Sequence, residues 1–355
     1  MSASETLTST QPVSPRGWPT PKHMSPGYFA LVMGTGIVTI GADQRGWHTA
    51  ADILLIVTGL EYAVLVLLAL WRLGAYRHDV VVDLTNPRTS FQFFTFPAAT
   101  NVLAAALATR KHLAATALLV VGTVAAIVLG YVVPWLILLS RKTGSVLADV
   151  DGTWFLWSVA IHSGAIGAAI LEHHATSGKD VLAVVAVISW SMGILLYLCT
   201  AVLVMMRLIT LPVGPRDIGP PYWILMGLSA LVVVAGTHIV GMDSTPIVDD
   251  IRGLVSGLLV MFWGIAAWLL PVMVAVGIWR HGMCRVPLTY TPALWSIVFP
   301  LGMFAASSMA LGDTDRVPLT NWIGRELMWA AVAVWAVTYL AMAWSGVKRL
   351  RAIRG

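Results

Sequence analysis

Apolar residues run through this chain in ten blocks, at positions 28–42, 50–73, 91–109, 113–139, 153–171, 181–206, 221–241, 253–279, 292–311 and 321–345. A helix needs about 20 apolar residues to cross a hydrocarbon core. The blocks therefore predict an all-α membrane protein with ten transmembrane helices, the first of them short. They also alternate in character. The even-numbered blocks hold 24 to 27 residues, mostly Leu, Val, Ala and Ile, whereas the odd-numbered ones hold 15 to 21 and carry most of the polar and helix-bending residues. Polar groups and loosened backbone at membrane depth are tolerated where they are buried in protein or line a cavity. The pattern thus predicts five inner, odd-numbered helices around a central pore, each followed by an outer, lipid-facing helix to make five helical hairpins. The same small and polar residues also suit plain helix packing, the other use that membranes make of them.

Composition agrees with the pattern. Charged residues make up 11% and hydrophobic ones 58%, with a mean hydropathy of +0.81, whereas a soluble domain carries about a quarter charged residues. Residues 1–25 are rich in Ser, Thr and Pro without an apolar core, and are expected to form a disordered cytoplasmic tail. Residues 26–346 then form a single transport domain and 347–355 a basic cytoplasmic tail. Sorting the loops alternately puts 15 Lys and Arg on one side and 7 on the other. By the positive-inside rule the first side is cytoplasmic, so both termini are expected there, in a multi-pass protein of the plasma membrane. Asp243, Asp249, Asp250, Asp313 and Asp315 fall on the opposite side and read as a solvated loop surface. The formal charge of +5 is scattered through loops, which argues against a nucleic-acid partner. Cys199 and Cys284 make no disulfide framework or metal site, and no cofactor is expected. Paired aspartates on facing spans, His-Glu-x-x-His and a serine hydrolase motif are all absent from the sequence, which argues against an intramembrane enzyme.

Five stretches on the odd-numbered blocks carry a resemblance. They are Phe29-Ala-Leu-Val-Met-Gly-Thr-Gly-Ile37, Phe94-Thr-Phe-Pro-Ala-Ala-Thr-Asn101, Gly152-Thr-Trp-Phe-Leu-Trp157, Pro220-Pro-Tyr-Trp-Ile-Leu-Met-Gly227 and Leu294-Trp-Ser-Ile-Val-Phe-Pro-Leu-Gly-Met303. Together and in this order they resemble the tellurite-resistance/C4-dicarboxylate transporter family, which includes plant slow-type anion channels, yeast sulfite exporters and malate permease. The resemblance implies ten helices in five hairpins around a pore, assembled as a homotrimer with one pore per subunit. It implies small inorganic or organic anions as substrates.

Within the odd-numbered blocks, Ser296, Phe299, Met303 and Ser307 fall on one helical stripe beside Pro300, which can bend the helix. The resemblance makes Phe299 an aromatic gate that blocks the pore until it swings aside. Gly34, Thr35 and Gly36 lack bulk, and Phe96, Thr100 and Asn101 sit in a similar Phe-Pro setting; all six are candidate pore-lining residues, with helix packing as the competing role. Glu61, His162 and His238 are ionisable at membrane depth and are candidates for proton coupling. No Lys or Arg lies deep in an odd-numbered block, so an anion would be held weakly by hydroxyls, amides and helix dipoles. Gated permeation of chloride-, nitrate- or sulfite-like anions is the leading reading. Proton-coupled transport of C4-dicarboxylates such as malate is the alternative.

Overall fold

The computed structural model describes residues 20–139, 146–243, 245–314 and 317–354, and among them the chain is helical with no strand. Most of the expected N-terminal tail, and Arg16, Arg141, Lys142, Asp315 and Arg316 of the loop tally, lie outside these residues. Ten α-helices answer the ten blocks: α1 (Ala30–Gln44), α2 (His48–Ala75), α4 (Thr95–Leu107), α5 (His112–Leu139), α6 (Phe155–His174), α7 (Lys179–Thr210), α8 (Ile224–Val240), α9 (Pro246–Ile278), α10 (Trp295–Gly312) and α11 (Pro318–Arg354). Eight of them, counting α6, α8 and α10 together with the short turns that lead them, are long and apolar enough to cross a membrane; α1 and α4, with 15 and 13 α-helical residues, are not among the eight.

Three boundaries differ from the sequence reading. A further helix, α3 (Arg77–Thr85), occupies a segment read as loop. It folds back because Asp83 accepts a 2.6 Å hydrogen bond from the buried Arg72, whose Nε also donates to the Lys22 carbonyl at 3.2 Å. Helix α9 starts at Pro246 rather than 253. A proline in the first turn lacks only an N–H that would be unpaired there, and Asp249 complements the dipole. Helix α11 runs through Arg354, so the basic stretch expected as a tail continues the last helix.

The alternation seen in the sequence becomes two layers. In the apolar stretches of α6, α8 and α10, 67–78% of residues are buried, against 11–33% in α2, α5, α7, α9 and α11. The outer helices turn large apolar side chains outward, among them Leu60, Leu67, Trp268 and Val337, each more than 60% exposed. Such surfaces belong in lipid.

Each short helix is led by a 3₁₀ turn: Pro26–Phe29, Ser90–Phe94, Gly152–Trp154, Pro220–Trp223 and Pro292–Leu294. Prolines open three of these turns, and Asp151 caps another by accepting from the Thr153 N–H and hydroxyl at 2.8 and 2.6 Å. The five turns touch one another in a closed cycle in chain order. All five short helices therefore begin at one end and run the same way. The helices themselves close the same cycle, α1 on α4, α4 on α6, α6 on α8, α8 on α10 and α10 on α1, and each also packs against the long helix that follows it.

Aromatic donors tie the two layers together. Tyr62 of α2 pairs with Thr100 at 3.0 Å, and Tyr197 of α7 with Ser229 at 2.8 Å. Trp190 of α7 donates to the Val232 carbonyl at 3.1 Å, Trp263 of α9 to Ser308 at 2.8 Å, and Trp335 of α11 to Thr35 at 3.1 Å. Each bond satisfies a polar group that lipid cannot.

The ring closes through close backbone approach. A Cβ added at Gly227 of α8 would lie 2.7 Å from Pro300 Cα of α10, closer than packed atoms allow. Gly227→Ala should therefore lower stability by about 1–3 kcal/mol, read as an earlier thermal unfolding midpoint in detergent. Gly264→Ala on α9, where the added carbon meets nothing within 4 Å, should leave the midpoint unchanged or raise it slightly.

Candidate functional site

The five short helices surround a cavity of about 160 Å³ to which all of them contribute. Its lining repeats at three- and four-residue steps on each helix, such as Val159, Ser163, Ile166 and Ile170 on α6, so one stripe of each helix faces inward. At the end nearer the 3₁₀ turns the wall consists of Ile37, Ala98, Val159, Leu231 and Phe299, none more than 3% exposed. This is a closed apolar floor. Higher up stand Asn101, Ser163 and Met303, and at the C-terminal ends of α1 and α8 stand Gln44 and His238, both exposed. The cavity thus opens toward the ends of the short helices and is shut toward their beginnings.

Its polar groups are the Gln44 and Asn101 amides, the Ser163 hydroxyl and the His238 imidazole; among the described residues no Asp, Glu, Lys or Arg lines it. Asn101 Nδ2 donates to Ser163 Oγ at 2.8 Å, and Ser163 Oγ donates to the Ala160 carbonyl at 2.7 Å. Charges gather around the open end in pairs instead. Arg110 bonds Asp43 and Asp52 at 3.1 and 2.8 Å, Lys179 bonds Asp243, and Arg252 bonds Asp249 at 3.0 Å as well as the Val240 carbonyl. Asp243 and Asp249 stand on the exposed surface expected for them and are ion-paired there. Arg45 lies against the paired rings of Trp47 and Trp329, 4.7 and 5.1 Å from their centres.

Of the residues singled out in the sequence, Phe299, Asn101, Met303 and His238 line this cavity. The others are placed elsewhere. Gly34 sits against Trp295 and Val298 of α10, and Gly36 against Val102 of α4; an added Cβ would come within 2.9 and 2.6 Å respectively. Thr35 faces away from the cavity, donating to Glu61 at 3.3 Å while accepting from Trp335. Glu61 accordingly lies in the crevice between α1, α2 and α11. Phe96 packs edge-on to Phe29 at 5.2 Å and beside Tyr62 at 6.5 Å, and Thr100 bonds Tyr62. Ser307 is fully buried and donates to the Phe304 carbonyl at 3.0 Å, and Ser296 is half-buried one turn before Phe299. His162 is fully buried; its Nδ1 pairs with the Ser158 carbonyl at 3.0 Å and its ring abuts Gly193 of α7. Gln44 and Ser163 are lining residues that the sequence reading did not select as site residues. They stand at helical steps from Ile37 and Val159, a spacing that points to them only once the inward stripe of each helix is known.

The match to known proteins covers the helices that build this cavity. Residues 23–343 match the family described as voltage-dependent anion channel, SLAC1. The chain belongs to this family. A sulfite efflux pump of Arthroderma benhamiae is 22% identical over 351 residues, covering 91% of this chain and 90% of its own length. An uncharacterized transporter of Methanocaldococcus jannaschii is 24% identical over 330 residues, covering 90% and 92%. An uncharacterized membrane protein of Mycobacterium tuberculosis is 45% identical over 147 residues, which is 41% of this chain and 75% of its own length. The resemblance carried by the five motifs is thereby established, and with it a membrane transport protein of the SLAC1 family.

The taper of the cavity can be measured by thiol labelling of this SLAC1-family chain in vesicles, with Cys199 and Cys284, both exposed, first changed to Ser. Gln44→Cys and His238→Cys should react quickly with a water-soluble reagent added on the side of the open end. Leu231→Cys and Val159→Cys, on the buried floor, should react far more slowly.

Proposed function

We propose that this chain is a gated pathway for small anions, with Phe299 as the gate. The observation that carries the proposal is the cavity ringed by five short helices, which carries no fixed charge among the described residues and closes on Phe299, 3% exposed. A path without carboxylates does not repel an anion. Neutral amides and hydroxyls bind it weakly, which suits fast passage. The five parallel helices add their positive dipole ends at the 3₁₀ turns, so anions gather at that end. If the basic loops are cytoplasmic, both termini are too, the open end faces outward, and the inside-negative potential favours export by about 2.3 kcal/mol per charge per 100 mV. Membership of the SLAC1 family and the kinship to sulfite efflux pumps support an oxyanion such as sulfite or nitrate among the substrates.

The pathway requires α1 and α4 to span despite their length. Fifteen α residues of α1 at 1.5 Å and four 3₁₀ residues at 2.0 Å reach about 30 Å. Thirteen and five residues give nearly the same for α4. That equals the hydrocarbon thickness. We therefore read ten spans in five hairpins, placed in the plasma membrane, with a homotrimer as the assembly that the family resemblance suggests.

Phe299→Ala should raise anion flux into proteoliposomes by roughly tenfold, the effect of removing about 1.4 kcal/mol from the barrier. Unchanged flux would remove Phe299 from the gate. The flux should follow the anion gradient and persist when a pH gradient is collapsed; transport that stops under that treatment would instead favour the proton-coupled dicarboxylate carrier, with His238 as the ionisable group on the cavity wall.

A further inference from the structure

Two turns at the end where the short helices begin carry arginines that no other group among the described residues uses. After α7, the chain makes a tight turn in which the Asp217 N–H donates to the Gly214 carbonyl at 3.0 Å and the Gly214 N–H donates to Asp217 Oδ2 at 2.7 Å. Pro215 and Arg216 form its centre. After α9, a single π turn at Trp279–Met283 ends the helix. It is held by the Cys284 N–H on the Trp279 carbonyl at 2.9 Å, the Val286 N–H on the Arg280 carbonyl at 3.1 Å and His281 Nδ1 against the Val286 carbonyl at 2.8 Å. Arg285, between these bonds, takes a φ of 51°, the one positive value at a residue other than glycine among the described residues. A side chain rarely adopts that backbone, so the surrounding bonds impose it. Arg280 Nη1 donates to the Ile218 carbonyl at 2.7 Å and clamps the two turns together.

Between them lies a groove of about 340 Å³ walled by Arg216, Arg285, Cys284, Pro215 and Pro287. Arg72, Arg88 and Arg207 at the same end each pair with an aspartate. Arg216 and Arg285 have no carboxylate or hydrogen-bond partner among the described residues, and both are exposed. Asp217, next in sequence to Arg216, is already engaged by Gly214 and Arg207.

We infer that this groove binds the phosphate group of an anionic ligand between the Arg216 and Arg285 guanidiniums. A guanidinium presents parallel N–H donors that match phosphate oxygens, and the bonded turns fix the backbone from which both side chains reach, which lowers part of the ordering cost. The surroundings point to a lipid headgroup as the source. Met283 and Leu288, next in sequence to the lining residues Cys284 and Pro287, are 74% and 80% exposed. Apolar side chains at the end of a membrane helix enter the acyl region and set the neighbouring arginines at headgroup depth. The inference is independent of the conduction reading.

The test uses the full chain in detergent, offered equal amounts of phosphatidic acid and phosphatidylcholine, with retained lipid counted by native mass spectrometry. The unaltered chain should retain phosphatidic acid preferentially. Arg216→Gln with Arg285→Gln should weaken that preference about tenfold or more at an unchanged unfolding midpoint, while Arg77→Gln, an exposed arginine at the same end, should not. Displacement by added inorganic phosphate that needs both arginines would support the site with a free phosphate as its ligand. Equal preference in the double variant and the unaltered chain, or an equal loss with Arg77→Gln, would overturn the inference.

Discussion

Helices that run the same way bring like dipole ends side by side, and the fold depends on how this cost is met. Five short helices start from one ring of 3₁₀ turns, so their positive ends lie together. Each packs on the long helix that follows it, and a helix returning in the opposite sense offsets the dipole of its partner. Lipid supplies no hydrophobic force between helices. Close approach at small residues and interhelical hydrogen bonds supply the rest: Gly34 against Trp295, Gly36 against Val102, Gly227 against Pro300, and the tyrosine and tryptophan donors between layers.

The same packing explains where the polar side chains of the inner helices went. Most point outward to the second layer or back to their own backbone, as Thr35, Thr100, Ser158 and Ser229 do. Few face the cavity, and among the described residues none of those is a carboxylate or a fixed cation. A pathway through the ring would discriminate by width and by weak neutral donors rather than by a tight charged site. The paired charges stand at the ends, where water can solvate them.

The two ends differ. One presents aspartates locked to Arg110, Lys179 and Arg252 around an open cavity. The other presents the 3₁₀ turns, the buried Arg72 and the two unpaired arginines of the groove. An anion would meet a net positive environment at the second end and paired charges at the first, which raises its local concentration at the second end.

The sequence by itself determined the all-helical membrane class, the ten helices, the alternation of inner and outer layers and the family. Each of these rests on properties that add up along a stretch of chain: apolar length, the density of polar interruptions and motifs kept in order. It did not determine which side of an inner helix faces the cavity. Helices buried on every side show no contrast between an apolar and a polar face, so hydrophobic periodicity is silent there. Thus Asn101 and Phe299 were legible as candidates, whereas Gln44 and Ser163 were not, and Thr35, Phe96 and Thr100 turned out to serve contacts between layers. The helix α3 and the turn bearing Arg285 were hidden for a related reason. Both are held by partners distant in sequence or by backbone bonds, Arg72 on Asp83 and Val286 on Arg280, and only the tertiary structure brings those groups together.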